Sequence, residues 1–228
     1  MPNQHHTRQY TDAIVQKKAT APKLSGLRYI PRWVGGVCCY IAFGLGGLLS
    51  SLTILPLLRF WPGEKTVRVA RAQKAVSWMF KAFIAMLSFA GVIAVSTKNI
   101  EALQQTKGKV VIANHPTLVD VVVLISLMPN AGCIVKQSLW RNPFIRGVLA
   151  SAGYIPNRGA DWLLHDCQQV LRTDTNLIIF PEGTRTLTGN IVNPFARGAA
   201  NIALRTQTDI LPVVLRTDVA GLTKQQSW

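Results

Sequence analysis

Apolar and polar positions change rhythm three times along this chain. From Trp33 to Leu58 no charged residue occurs. At 1.5 Å per residue such a run can cross a hydrocarbon core of about 30 Å. It carries five glycines (Gly35, Gly36, Gly44, Gly46 and Gly47) with Pro56 near its end, and glycine is common in membrane helices. A second apolar stretch, Val76 to Val95, is interrupted only by Lys81. Arg68, Arg71, Lys74 and Lys81 recur at helical intervals, while Val76, Met79, Phe80, Phe83, Ile84 and Leu87 fill another face. That pattern predicts a basic amphipathic helix running into an apolar one, suited to an interface.

After residue 100 short apolar runs alternate with helical patterns. Val110–Ala113, Cys133–Val135, Leu177–Phe180 and Ile210–Leu215 read as buried strands. Leu118–Leu127, Pro143–Ser151, Asp161–Leu171 and Phe195–Arg205 read as helices between them. The alternation predicts an α/β domain with a largely parallel or mixed sheet flanked by helices. The expected organisation is a basic, flexible tail over residues 1–32, a two-helix membrane anchor over 33–98 and the α/β domain over 99–228.

Charge sharpens the membrane reading. The 228 residues hold 25 Lys+Arg against 10 Asp+Glu, a formal charge of +15. Such a chain seeks polyanions: nucleic acid, acidic lipid or phosphorylated small molecules. No nucleic-acid reading motif accompanies the charge, and the long apolar stretches favour a membrane surface. The basic lead is too long for a secretory signal peptide and no small-residue cleavage site follows the apolar part. The tail, the 59–75 connection and the start of the α/β domain are all basic, so the positive-inside tendency places all three in the cytoplasm. A two-span hairpin would put the connection outside. A monotopic two-helix anchor is therefore preferred over two spans or a buried soluble pair, with the α/β domain on the cytoplasmic face of a membrane.

Cys38, Cys39, Cys133 and Cys167 lack metal-site spacing and read as buried hydrophobes, so no metal is expected. His5 and His6 lie in the tail, and His165 on the polar side of a helix. The chemistry concentrates elsewhere. "NHPTLVD" places His115 after the first strand, with Pro116 next and Asp120 five residues on. Five residues on a regular helix turn through about 140° and would separate the side chains. Pro116 suits a first helical position, which leaves His115 outside the helix, free to fold back on Asp120. A carboxylate on one imidazole nitrogen leaves the other to accept a proton. A capping Asn/His with a solvated aspartate fits the spacing as well. "FPEGTR" follows another strand, where Gly183 permits close backbone approach and Arg185 can fork onto a phosphate. Glu182 can hold that arginine or receive a ligand hydroxyl. "GYIPNRG" presents Arg158 from a loop. "ILPVVL" holds Pro212, which suits a sheet edge or strand start and suggests either a channel wall or plain core.

In combination and order, His-x4-Asp, Gly-x-Ile-x-x-Arg, Phe-Pro-Glu-Gly-Thr-Arg and an apolar Pro-Val strand resemble the four-block pattern of the glycerolipid acyltransferases, the bacterial 1-acylglycerol-3-phosphate acyltransferases and their relatives. The resemblance covers roughly residues 105–217, and Lys136 with Pro143 and "FARGAANIA" from Phe195 support it. It implies His115 as general base and Asp120 as its orienting partner. It implies Glu182, Gly183, Thr184 and Arg185 as ligands of a phosphorylated acceptor, Arg158 as a second phosphate contact, and Pro212 beside the acyl donor. The implied reaction moves an acyl group from acyl-carrier protein or acyl-CoA, as co-substrate, to a lysophospholipid hydroxyl. It needs no resident cofactor and no acyl-enzyme. A different lipid acceptor, such as an amino-acid-containing lyso-lipid, and a non-catalytic lipid-binding relative are the alternatives. The family pattern continues past the fourth block further than "RTDVAGLTKQQSW", so the C-terminus is expected to be short or truncated.

Overall fold

The computed structural model describes residues 13–18, 30–53, 57, 60, 62–187 and 190–217. Its elements are β1 (Ala13–Lys18), α1 (Ile30–Leu52), α2 (Lys65–Phe89), β2 (Ala94–Lys98), α3 (Ile100–Gln105), β3 (Val110–Ala113), α4 (Asp120–Leu127) and β4 (Ala131–Lys136). A 3-10 turn (Gln137–Arg141) then leads to α5 (Pro143–Ser151), β5 (Ile155–Asn157), α6 (Ala160–Leu171), β6 (Asn176–Ile179), α7 (Gly198–Thr206) and β7 (Ile210–Thr217). Among the described residues the strands form one sheet in the order β2-β1-β7-β3-β6-β4-β5. Every neighbouring pair is parallel except β1 with β2. The expected α/β class with a largely parallel sheet is the observed one.

The central strands are continuous apolar runs because both faces are covered. Val111, Ala113, Cys133 and Ile178 face a core shared with Val76 of α2, Val123 and Leu124 of α4 and Leu149 of α5. Val110, Leu177 and Ile179 face a second core with Cys167 of α6 and Ile202 and Ala203 of α7.

One boundary differs from the sequence reading. Residues 13–18, expected in the flexible tail, form β1 between β7 and β2, in parallel register with Val213–Thr217. Their basic character hid a strand whose ladder bonds are sequence-independent. The rest of the tail, with His5 and His6, and the chain beyond Thr217 lie outside the described residues. α2 lies within the span expected as membrane anchor. It packs on the α/β body, burying Ala72, Gln73, Val76, Ser77, Phe83 and Leu87. Gln73 Nε2 donates to the Ala152 carbonyl at 3.0 Å, and β2 joins the sheet directly after it. Its apolar stripe packs on protein, and periodicity specifies a face without saying what covers it.

α1 keeps the expected character. Trp33–Leu52 is long and apolar enough to cross a membrane, and most of this run is unburied. Ile41, Leu45, Leu49 and Leu52 point outward. Its inner side packs Tyr40 and Phe43 on Phe83 of α2, at ring-centroid distances of 5.3 and 4.1 Å. A long outward apolar face on a docked helix is a candidate surface for membrane association.

Candidate active site

All strands except β2 end at one edge of the sheet, where polar loops replace ladder bonds and ligands collect in open α/β folds. His115 lies just past β3 at that edge. The helix after it starts at Asp120, two residues later than expected, so Pro116 belongs to a turn and not to the helix's first position. That turn folds the chain back. His115 Nδ1–H donates to Asp120 Oδ2 at 2.9 Å. The Thr117 N–H reaches the same oxygen at 2.6 Å and the Thr117 hydroxyl reaches Oδ1 at 2.6 Å. Asp120 is 0% exposed, and the His115 side chain is 20% exposed. A buried carboxylate held by short donors at a helix N-terminus is favourable as an anion. It fixes the imidazole in the tautomer whose Nε2 is an acceptor. Phe180, from the end of β6, stacks on the imidazole with centroids 4.3 Å apart and planes at 27°. The awkward spacing thus resolves into a pair, through a turn rather than through a proline-led helix.

The "FPEGTR" segment continues from β6, the strand beside β3. The Gly183 N–H donates to the Phe180 carbonyl at 3.0 Å, closing a tight turn. Gly183 has φ +64°, in the left-handed region that favours glycine. It is exposed, while Thr184 and Arg185 are half-buried beside it. Glu182, expected at an acceptor, turns inward instead. Its Oε1 accepts the His115 N–H at 2.8 Å and the Thr186 hydroxyl at 3.0 Å. Its Oε2 accepts the Asn193 N–H at 2.9 Å and the Thr186 hydroxyl at 2.9 Å. An acceptor hydroxyl would have to compete with these donors.

Arg158 is exposed just past β5, and the Asn157 before it is level with Lys136 of β4. β5 stands three strand positions from β3, roughly 14 Å along the edge. The structure therefore brings His115, Asp120 and the Gly183–Arg185 turn together and sets Arg158 farther along the same edge.

Pro212 does not lie on an outer strand: β7 sits between β3 and β1. Pro212 pairs with Ile112 of β3, and among the described residues the β1 ladder starts at Val213. Pro212 lines a cavity of about 690 Å³ with Ile112, Pro116, Leu187, Phe195 and Leu215. Asn114 and Pro116, the two neighbours of His115, both reach its wall.

Several residues escaped the sequence reading. The Asn114 side chain pairs with both backbone groups of Leu215. Its Nδ2 donates to the carbonyl at 2.9 Å and its Oδ1 accepts the N–H at 2.7 Å. It thereby ties the His115 loop to β7, across 101 residues of sequence. Thr186 N–H donates to the His115 carbonyl at 2.7 Å. Asn114 was visible inside the first block, but its distant partner was not. Thr117 stood inside the first block with no role marked by the spacing, and Thr186 and Asn193 carried no signal beyond being polar residues after the third. Among the described residues no cluster of three or more His, Cys, Asp or Glu could hold a metal ion.

Comparison with known proteins agrees with the geometry. The acyltransferase family model matches residues 94–216, more than half of the chain. The chain belongs to this acyltransferase family. It is 36% identical over 116 residues to the 1-acyl-sn-glycerol-3-phosphate acyltransferase of Helicobacter pylori, covering 48% of this chain and 49% of that one. It is 35% identical over 111 residues to the enzyme of that name from Cocos nucifera, covering 46% and 36% respectively. The matched region thus spans half or less of these relatives' length. Among solved structures, the 1-acyl-sn-glycerophosphate (LPA) acyltransferase PlsC of Thermotoga maritima superposes with TM-score 0.65 at 16% identity, over 84% of each chain. That likeness extends the shared fold beyond the matched region.

Proposed function

We propose that this protein transfers a fatty acyl group from acyl-carrier protein or acyl-CoA to the free hydroxyl of a lysophospholipid, with 1-acylglycerol-3-phosphate the acceptor and phosphatidic acid the product. The observation that carries this reading is His115 Nδ1 held at 2.9 Å by a fully buried Asp120, on a half-open strand end. The names of the curated relatives support the choice of acceptor.

The free Nε2 of His115 removes the proton from the acceptor hydroxyl as its oxygen attacks the thioester carbonyl. The C–O bond forms, and the carbonyl electron pair moves onto oxygen. Collapse of this tetrahedral anion breaks the C–S bond. The thiolate takes the proton from the imidazolium, which Asp120 has stabilised meanwhile. General-base catalysis contributes about 10²–10⁴-fold, so positioning of donor and acceptor supplies much of the rest. Gly183, Thr184 and Arg185 bind the acceptor phosphate, and Arg158 supplies a second cation along the edge. The apolar cavity beside Pro212 receives an acyl chain, at about 0.8 kcal/mol per buried methylene.

The membrane setting suits this chemistry. The acceptor resides in a bilayer, and a basic chain with an outward apolar helix keeps the site at that surface. Both donors are anionic and belong to the cytoplasm, which places the site on the cytoplasmic face, in a bacterial cell that of the inner membrane.

The test is mass-spectrometric identification of the product when the protein in membranes receives a panel of lyso-lipids with acyl-ACP and acyl-CoA. Phosphatidic acid formed from lysophosphatidate is the expected product. Acylation of a different headgroup class alone would reassign the acceptor, and an inert protein across the panel would sink the reading.

A further inference from the structure

We propose that Glu182 is a positioning residue that fixes the backbone of His115, and not a ligand of the acyl acceptor; this rests on the reading of His115 as the base for acyl transfer. β3 ends at Ala113, so the backbone groups of His115 lie beyond its ladder. The third sequence block supplies partners for both. Glu182 Oε1 accepts the His115 N–H at 2.8 Å, and the Thr186 N–H donates to the His115 carbonyl at 2.7 Å. Two elements that share one strand boundary are thereby locked at the residue that does the chemistry.

Glu182 is itself over-determined. It is 8% exposed, and both oxygens are occupied by the Thr186 hydroxyl and by the backbone of His115 or Asn193. A carboxylate is the residue type for this position because it only accepts, with about four lone-pair sites. Glutamine offers one accepting atom and can serve the His115 N–H or the Asn193 N–H, but not both. An acceptor hydroxyl that took these lone pairs would release the loop it depends on. The Glu182 clamp acts on the main chain, while Asp120 acts on the ring. Together they define where Nε2 stands.

The expected kinetic signature follows. A displacement of about 1 Å at the reacting groups can cost on the order of 10²-fold. Glu182→Ala should lower kcat by about that factor and leave the acceptor KM within about twofold, whereas Arg185→Ala should raise the KM. Glu182→Gln should fall between wild type and alanine. A second arm needs no turnover. Diethylpyrocarbonate acylates accessible imidazoles, and peptide mapping separates His115 from His5, His6 and His165. With His115 released, its modification rate should rise several-fold in Glu182→Ala and in the milder Thr186→Val, and stay at the wild-type rate in Arg185→Ala.

Thermal melts of the variants in detergent identify any that fail to fold, and Thr186→Val carries the modification test should Glu182→Ala be among them. A rise in acceptor KM at unchanged kcat, or a modification rate equal to wild type in both clamp variants, would overturn the proposal. Should wild type prove inert toward every acceptor, the acyl-transfer reading falls by itself, and the modification rates still decide whether Glu182 clamps His115.

Discussion

At the residue scale the site is a set of side chains whose roles differ from their distance in sequence. Asp120 was legible as a partner of His115 only through the combination of blocks, because a capping Asn/His with a solvated aspartate fits the spacing as well. The direction of Glu182 was not legible, since spacing says nothing about whether a side chain faces solvent or the loop beneath it. Asn114 was equally opaque, because its bond to Leu215 depends on a register that only the folded sheet sets. Asp120→Asn keeps the shape but replaces one accepting oxygen with a donor, opposite donors on both sides. It should lower kcat by about 10²–10⁴-fold, checked by acyl-transfer kinetics beside a melting curve. The cysteines give a second residue-scale expectation. Burial pushes the Cys133 and Cys167 thiols up to about 12, so at pH 8 each is almost wholly protonated and unreactive. Iodoacetamide at that pH should label the exposed Cys38 first and reach Cys133 and Cys167 only after denaturation. Mass mapping of labelled peptides checks this, and rapid labelling of the folded protein at Cys133 would contradict the burial.

At the scale of elements, the strands that the sequence revealed are those with both faces buried. β3, β4, β6 and β7 are short apolar runs between turn signals, and their texture matches what packs on them. β2 is mostly half-buried or exposed, and β1 reads AIVQKK, so neither shows such a run. Both sit beyond β7 on one side of the sheet, where an element is defined by its neighbour's backbone more than by its own side chains. α2 taught the complementary lesson: its apolar stripe was correct, and its partner was protein. The docking of α1 can be tested at one contact. A Cβ at Gly147 of α5 would stand 2.9 Å from Ser51 Oγ of α1, closer than real contacts allow. Gly147→Val should push the helices apart at a cost of about 1–3 kcal/mol. Chemical denaturation in detergent should show this as a lower midpoint at unchanged slope, while a midpoint unchanged in Gly147→Val and in bulkier Gly147→Phe would contradict the close seating of α1 on α5.

On the scale of the whole molecule, charge and apolar surface act together. Under the proposed function, the chain's formal +15 would draw it to anionic lipid, and the outward face of α1 would hold it there. These two contributions separate with salt, since exposed charges more than about 8 Å apart are largely screened at 0.15 M while apolar burial is not. Binding to anionic vesicles should weaken with salt but persist, whereas Leu45→Asp with Leu49→Asp should abolish the salt-resistant part in a sedimentation assay. The sheet's edge carries His115, the Gly183–Arg185 turn and the apolar cavity side by side. The proposed function rests on one step, the removal of a proton from an acceptor hydroxyl by His115. The most direct measurement is the rate of phosphatidic acid formation from lysophosphatidate and an acyl thioester by wild type and His115→Ala, reconstituted in the same vesicles at equal membrane-bound protein. The variant should bind the membrane as wild type does and lose at least about 10²-fold in rate. A His115→Ala protein that turns over at close to the wild-type rate would contradict the account.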